Sequence, residues 1–318
     1  MKKLCNTFIA CLLIGCCCYN CSYAATFAKS TTTLPAKICR LDLASVRSIK
    51  ISRLAHVNIY LEAKKDYLTT AGVKTNFCHS RRIRFKHGAL FIHGSAPDTV
   101  TNIYVQDLDS LTLIDTQDVN IKALAPATVS INMQNAAYTT LNGNIYLPSL
   151  SVAGHSSLTT NIGTTNLRNL HNTGSGDIII NNLRTFKLTI DDEGSGETIL
   201  RGSADANQIT KTGKGYLNLR WLHSRCTRID ASGTGEICIA GTTKSLRATL
   251  HEYAFLNARY LTAKDLFVKT YDCSLAYVKP ISQLFAYATG YGQINYYHEP
   301  RLLSKYTANS GVVLPMHR

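Results

Sequence analysis

Five Gly-x-Gly triplets recur down the second half of this chain: Gly174-Ser175-Gly176, Gly194-Ser195-Gly196, Gly213-Lys214-Gly215, Gly233-Thr234-Gly235 and Gly290-Tyr291-Gly292. The first four start 20, 19 and 20 residues apart, and the last gap of 57 is three steps of 19. A fixed period near 20 residues is the signature of a repeat architecture, in which each repeat is one small structural unit.

The unit has an internal grammar. Four residues before each of the first four triplets stands an apolar residue, Leu170, Ile190, Ile209 and Ile229. Four after the first glycine come Ile178, Thr198, Leu217 and Ile237, and six after it Ile180, Leu200, Leu219 and Ile239. Residues two apart share one face of a strand, so each unit reads strand, glycine corner, strand. Glycine suits the corner because it accepts positive φ. The same columns continue where the triplets decay. A corner at Glu252 predicts Leu256 and Ala258 inside, and one at Tyr271 predicts Leu275 and Tyr277. Gly154, 20 residues before Gly174, extends the pattern backwards.

One such unit cannot bury its own apolar column, whereas stacked units share a continuous core. The expected fold is all-β, a parallel β-helix or β-solenoid with 19–20 residues per turn. An antiparallel sandwich also turns regularly, but it does not require offsets to stay in step. Alternation at Val46–Ile51, Val57–Leu61, Ala89–His93, Val100–Val105, Leu111–Ile114 and Val119–Ile121 carries strands towards the N-terminus, and no stretch sustains helical periodicity. Roughly 260 residues at ~20 per turn imply about thirteen turns and a length near 60 Å at the interstrand spacing.

The N-terminus reads as an export signal. Met1-Lys2-Lys3 precedes a short, largely apolar run ending near Cys18, too short to span a membrane. Ser22-Tyr23-Ala24 suits ordinary cleavage after residue 24, while Leu13-Ile14-Gly15-Cys16 resembles a lipobox that would remove residues 1–15 and leave Cys16 as the lipidation candidate. The expected organisation is the leader, a flexible tether over 25–43, a solenoid domain over 44–300 and a C-terminal cap or tail over 301–318. Six of eleven cysteines lie before Ala25, leaving Cys39, Cys78, Cys226, Cys238 and Cys273. Cys39–Cys78 and Cys226–Cys238 are candidate bridges in an exported chain, with the fifth left over.

Charge bounds the partners. Without Lys2 and Lys3 the chain keeps 32 basic against 20 acidic residues, about +12. That favours anionic lipid headgroups or acidic glycans; nucleic acid is a poor partner for an exported chain with no nucleic-acid-binding motif. The densest basic run is His79 to His87, with Ile83 and Phe85 alternating with Arg82, Arg84 and Lys86. The residue after each triplet forms a column of Asp177, Glu197, Tyr216 and Glu236. Such a strip could act as acid and base on a polysaccharide or hold calcium, although acidic residues beside glycine turns are ordinary solvated chemistry. Tyrosines crowd the last third. Tyr277 and Tyr296 fall on the inward column, and Tyr291 is a surface candidate for a glycan or partner. No zinc spacing, nucleophile elbow or phosphate loop is present. No cofactor, catalytic residue or metal site is assigned.

The segment Val46–Tyr60, then Gly88-Ala89-Leu90, Thr99 to Val105 and Leu108 to Leu111, followed by cornered repeats such as Thr173-Gly174-Ser175-Gly176-Asp177-Ile178, resembles the "putative auto-transporter adhesin, head GIN domain" family. The resemblance implies an exported or surface-attached bacterial β-solenoid, of a family most often without an assigned activity, and carries no catalytic residues across to this chain. The expectation is a non-enzymatic scaffold of the periplasm, outer membrane or cell surface, binding a glycan, lipid or protein. A polysaccharide-acting enzyme using the acidic strip, and a structural spacer, are the alternatives.

Overall fold

A computed structural model describes residues 37–72, 81–94 and 99–316, all within one compact unit, Lys37–Arg318. The leader with Cys16, and Cys78 with its proposed bridge, lie outside the described residues. Every regular element described is a strand, and all join one sheet that winds into a β-solenoid of about ten turns with ~20 residues each.

Each turn has three sides. Ser110–Ile114, Asp118–Ala123 and Ala127–Thr128 are the first, second and third sides of one turn. Ser130–Gln134, Tyr138–Asn142 and Ile145–Leu147 lie directly above them in parallel register. From residue 178 the sides fuse. Ile178–Asp192, Glu197–Lys211, Tyr216–Ala231, Glu236–Leu250, Phe255–Thr270 and Leu275–Ala288 each run unbroken from the second side through the third to the next first side. The Gly-x-Gly triplets are the corner between the first and second sides.

Like stacks on like. Ile178, Thr198, Leu217, Ile237, Leu256, Ala276 and Ile294 form one file on the second side, each fully buried. A buried Leu or Ile in such a file contributes about 1.5–3 kcal/mol. The Glu252 corner places Leu256 and Ala258 inside as expected. The next corner does not sit at Tyr271. The buried pair there is Ala276 and Val278, because this turn holds 20 residues where 19 was assumed. A slip of one residue exchanges the faces of a strand. Tyr277 therefore points outward and meets Phe255 and Tyr297 edge-on, while Tyr296 is buried.

The N-terminal end departs from sequential stacking. Ser48–Ser52 lies between Ala89–His93 and Ser110–Ile114, with Ile49 opposite both Leu90 and Leu111. His56–Leu61 lies likewise between Val100–Tyr104 and Asp118–Ala123. The first turn in sequence is thus second in space. Beyond it, Tyr67–Gly72 pairs antiparallel with Val100–Tyr104, Lys37–Asp42 antiparallel with Tyr67–Gly72, and Ile83–Lys86 antiparallel with Ala89–His93. These strands cover an edge that would otherwise offer free N–H and C=O groups to another chain. Residues used to close this end do not build turns, so the count falls to about ten from the thirteen that length alone implies. At the other end, Leu302–Thr307 and Val312–Pro315 add a further rung in parallel register, within the stretch expected as a cap or tail.

Cys226 and Cys238 are both free thiols. Cys226 is opposite Ser245 beyond the third side, whereas Cys238 is opposite Asn218 and Asn257 on the second. They sit on different sides of the solenoid, which rules out the bridge between them.

Candidate functional site

At the triplet corners, successive turns touch backbone to backbone. Ser175 N–H donates to Gly154 O at 2.8 Å, Ser195 N–H to Gly174 O at 3.0 Å and Gly215 N–H to Gly194 O at 3.0 Å. A Cβ on Gly196 or Gly215 would overlap the carbonyl oxygen of the glycine one turn earlier. Close approach, more than conformation, selects glycine here: of the ten triplet glycines only Gly233 and Gly290 have positive φ. Where the triplet is lost, Glu252 and Asp272 adopt φ of 58° and 55°. Their carboxylates accept from the backbone N–H of Gly233 and Glu252, at 2.8 and 3.0 Å.

The acidic column is assembled as a column. Glu197, Tyr216 and Glu236 stack in register, and Asp177 Oδ1 accepts from Glu197 N–H at 3.0 Å. Glu197 and Glu236 lie two rungs apart, about 9.6 Å at the interstrand spacing, with Tyr216 between them. Tyr216 leans along the outer face of its own strand instead: its hydroxyl accepts from Asn218 Nδ2 at 3.0 Å. Burial, then the hydrogen bond with Cys238, pushes its phenol up to about 12. Tyr291 is exposed at its corner. No group of three or more His, Cys, Asp or Glu side chains among the described residues is placed to hold a metal ion.

A second polar column is hidden inside. Asn172, Asp192 and Lys211 stack on three successive rungs, and Asp192 and Lys211 are essentially inaccessible. Asp192 Oδ1 accepts from Gly194 N–H and Asn172 Nδ2, both at 3.0 Å, while Lys211 Nζ donates to Gly194 O at 3.2 Å and lies 3.6 Å from Asp192 Oδ2. Desolvation outweighs their attraction, raising the Asp192 carboxyl and lowering the Lys211 amine.

A further candidate site lies at the corner between the second and third sides. A groove of about 1470 Å³ runs along the stacking direction there, lined by Arg184, Arg220, Arg259, Trp221, Tyr260 and small or polar neighbours, with no carboxylate among them. Its construction follows from alternating corners. Compact corners place Gly202 and Gly241 at φ of 136° and 135°, tight against the carbonyls of Leu183 and Leu222. The rungs between carry one extra residue, seen as register shifts at 219/222 against 239/241 and at 257/260 against 238/240. An extra residue bulges the strand and re-aims its side chain. Arg220-Trp221 and Arg259-Tyr260 are those bulges, and they account for turns that alternate between 19 and 20 residues.

Trp221 is 72% and Tyr260 63% exposed, and Trp221 holds φ of 68°, a costly conformation for a bulky residue. The Arg259 guanidinium lies 4.6 Å over the Tyr260 ring. Among the described residues Arg184, Arg220 and Arg259 have no acidic partner within 4.0 Å. On the groove wall the Oδ1 atoms of Asn218 and Asn257 are buried without a hydrogen-bond partner. Buried polar atoms are normally paired, so these two oxygens, shielded from solvent, are exceptions. None of these residues is singled out by the triplet pattern. The available signal was a duplication, Leu217-Asn218-Leu219-Arg220-Trp221-Leu222 against Leu256-Asn257-Ala258-Arg259-Tyr260-Leu261, offset by 39 residues or two turns.

The basic run forms a smaller hollow of about 740 Å³ at the N-terminal hairpin, where Arg84 lies opposite Phe91. Its first residues, His79 and Ser80, lie outside the described residues.

Comparisons with known proteins follow this geometry. Among curated proteins none matches. Solved structures that resemble the chain include a putative lipid binding protein from Parabacteroides distasonis, 13% identical, covering 89% of this chain and 98% of that one, TM-score 0.35. A putative adhesin from Parabacteroides merdae is 12% identical, covering 89% and 97%, TM-score 0.34. A putative adhesin from Bacteroides fragilis is 11% identical, covering 88% and 97%, TM-score 0.32. Residues 200–300, which contain both copies of the duplicated motif, match the family model "Putative auto-transporter adhesin, head GIN domain".

Proposed function

We propose that this protein is an exported, non-enzymatic binding scaffold of the bacterial envelope, and that its ligand surface is the groove at Trp221 and Tyr260. The observation that carries the reading is the composition of that groove. Three arginines without acidic partners and two exposed aromatic rings converge there without a carboxylate. Arginine and aromatic faces supply recognition, whereas glycoside hydrolysis needs paired carboxylates around the bond to be cut. The acidic column is used otherwise: Asp177 accepts a backbone N–H, and a tyrosine separates Glu197 from Glu236. The leader supports export, and Cys16 supports attachment by lipid.

Binding of the purified mature chain to envelopes from cells lacking it tests the reading. Saturable binding that falls at least tenfold in the Arg220→Gln, Arg259→Gln double variant is expected. Saturable binding unchanged in that variant would move the ligand surface away from the groove.

A further inference from the structure

We propose that the groove takes a linear anionic polysaccharide with one negative charge per disaccharide, read twice by Asn218-Leu219-Arg220-Trp221 and Asn257-Ala258-Arg259-Tyr260. This rests on the groove being the ligand surface and goes further by fixing the chemistry and period of the ligand.

The two copies occupy corresponding places on alternate rungs, although only Trp221 takes a left-handed φ. Asn218 and Asn257 are both in register with Cys238, one from each side, and Trp221 and Tyr260 flank the rung of Ala240 and Gly241. Every element of the site therefore repeats after two rungs, about 9.6 Å along the stack. That is close to the length of one disaccharide in an extended chain. The rung between the copies carries only Ala240 opposite Tyr260, so a ligand can lie along the groove and meet the two protruding rings in turn. A repeating receptor with this period fits a repeating ligand.

The chemistry narrows the class. Arg220 and Arg259 each present a fork of donors suited to a carboxylate, two rungs apart, which matches one charge per disaccharide. The exposed faces of Trp221 and Tyr260 give flat amphipathic platforms for sugar rings. A volume of about 1470 Å³ exceeds the usual small-molecule pocket and suits several linked units.

Calorimetric titration of the mature protein with hyaluronan and unsulfated chondroitin octasaccharides, each with one carboxylate per disaccharide, tests the proposal. Trp221, the only tryptophan in the chain, reports groove occupancy in parallel. Cellohexaose and vesicles of anionic phosphatidylglycerol are the comparisons. At least one charged glycan is expected to bind and to shield Trp221. Arg220→Gln and Arg259→Gln should each weaken it about tenfold, and a disaccharide should bind at least about tenfold more weakly than a tetrasaccharide. Equal binding of cellohexaose, or no loss in either exposed-arginine variant, overturns the charge period. If only the lipid vesicles shield Trp221, the groove is a ligand surface and the polysaccharide assignment fails. If nothing shields it, the groove reading itself fails.

Discussion

Single side chains in this molecule do their work across rungs. Tyr216 illustrates this, because its hydroxyl accepts from Asn218 on its own strand and also bonds Cys238 on the next rung. Its phenol is held up to about 12, against about 10 in an unfolded chain. The unfolded state therefore gives up this proton first, and the contribution of Tyr216 to stability is full below pH 10 and is lost as pH rises towards 12. Urea midpoints for the wild type and Tyr216→Phe should differ most near pH 8 and converge above pH 11. A constant difference across that range would mean that the titration of Tyr216 is not linked to folding. Trp221 is the opposite kind of residue. It is exposed, conformationally costly and packed against little, so its place is explained by what it presents, not by what it stabilises.

At the scale of the rung, buried chemistry and register set the fold. The Asn172, Asp192 and Lys211 column crosses three rungs inside an otherwise apolar core. Removing one member leaves the other uncompensated, so Asp192→Ala should destabilise by about 3–5 kcal/mol. The Asp192→Leu, Lys211→Met double variant should recover most of that loss, because apolar residues of similar volume often replace a buried ion pair without cost. Chemical denaturation measures both, and a double variant no more stable than Asp192→Ala would contradict the account. The strand-corner-strand unit was legible in the sequence because inward residues keep their offsets from Ile178 to Ile239. Tyr277 was not placed correctly, because a single extra residue per turn is invisible to a fixed step of 19. That same alternation of 19 and 20 residues held the groove. Comparing neighbouring turns hides the motif, since Ala240 alone stands where the flanking rungs carry an arginine and an aromatic ring, and Gly241 is already opposite Leu222 and Leu261.

The whole molecule is a stack whose ends are treated differently. Near the N-terminus the chain interleaves its first two turns and closes the edge with antiparallel strands. Alternating sequences at Ser48–Ser52 and Ala89–His93 are compatible with several stacking orders, which is why periodicity alone did not reveal the interleaving. Along the body, repetition turns one recognition motif into two at a fixed distance. The central claim is that this long face binds its ligand at Trp221, and acrylamide quenching of that single tryptophan tests it most directly. In the free protein the indole, 72% exposed, should be quenched strongly. Addition of polysaccharide isolated from the native envelope should lower the quenching constant at least about threefold, with protection lost in the Arg220→Gln, Arg259→Gln variant. Quenching that stays the same with every envelope component, while the protein still binds envelopes, would place the binding surface elsewhere on the solenoid.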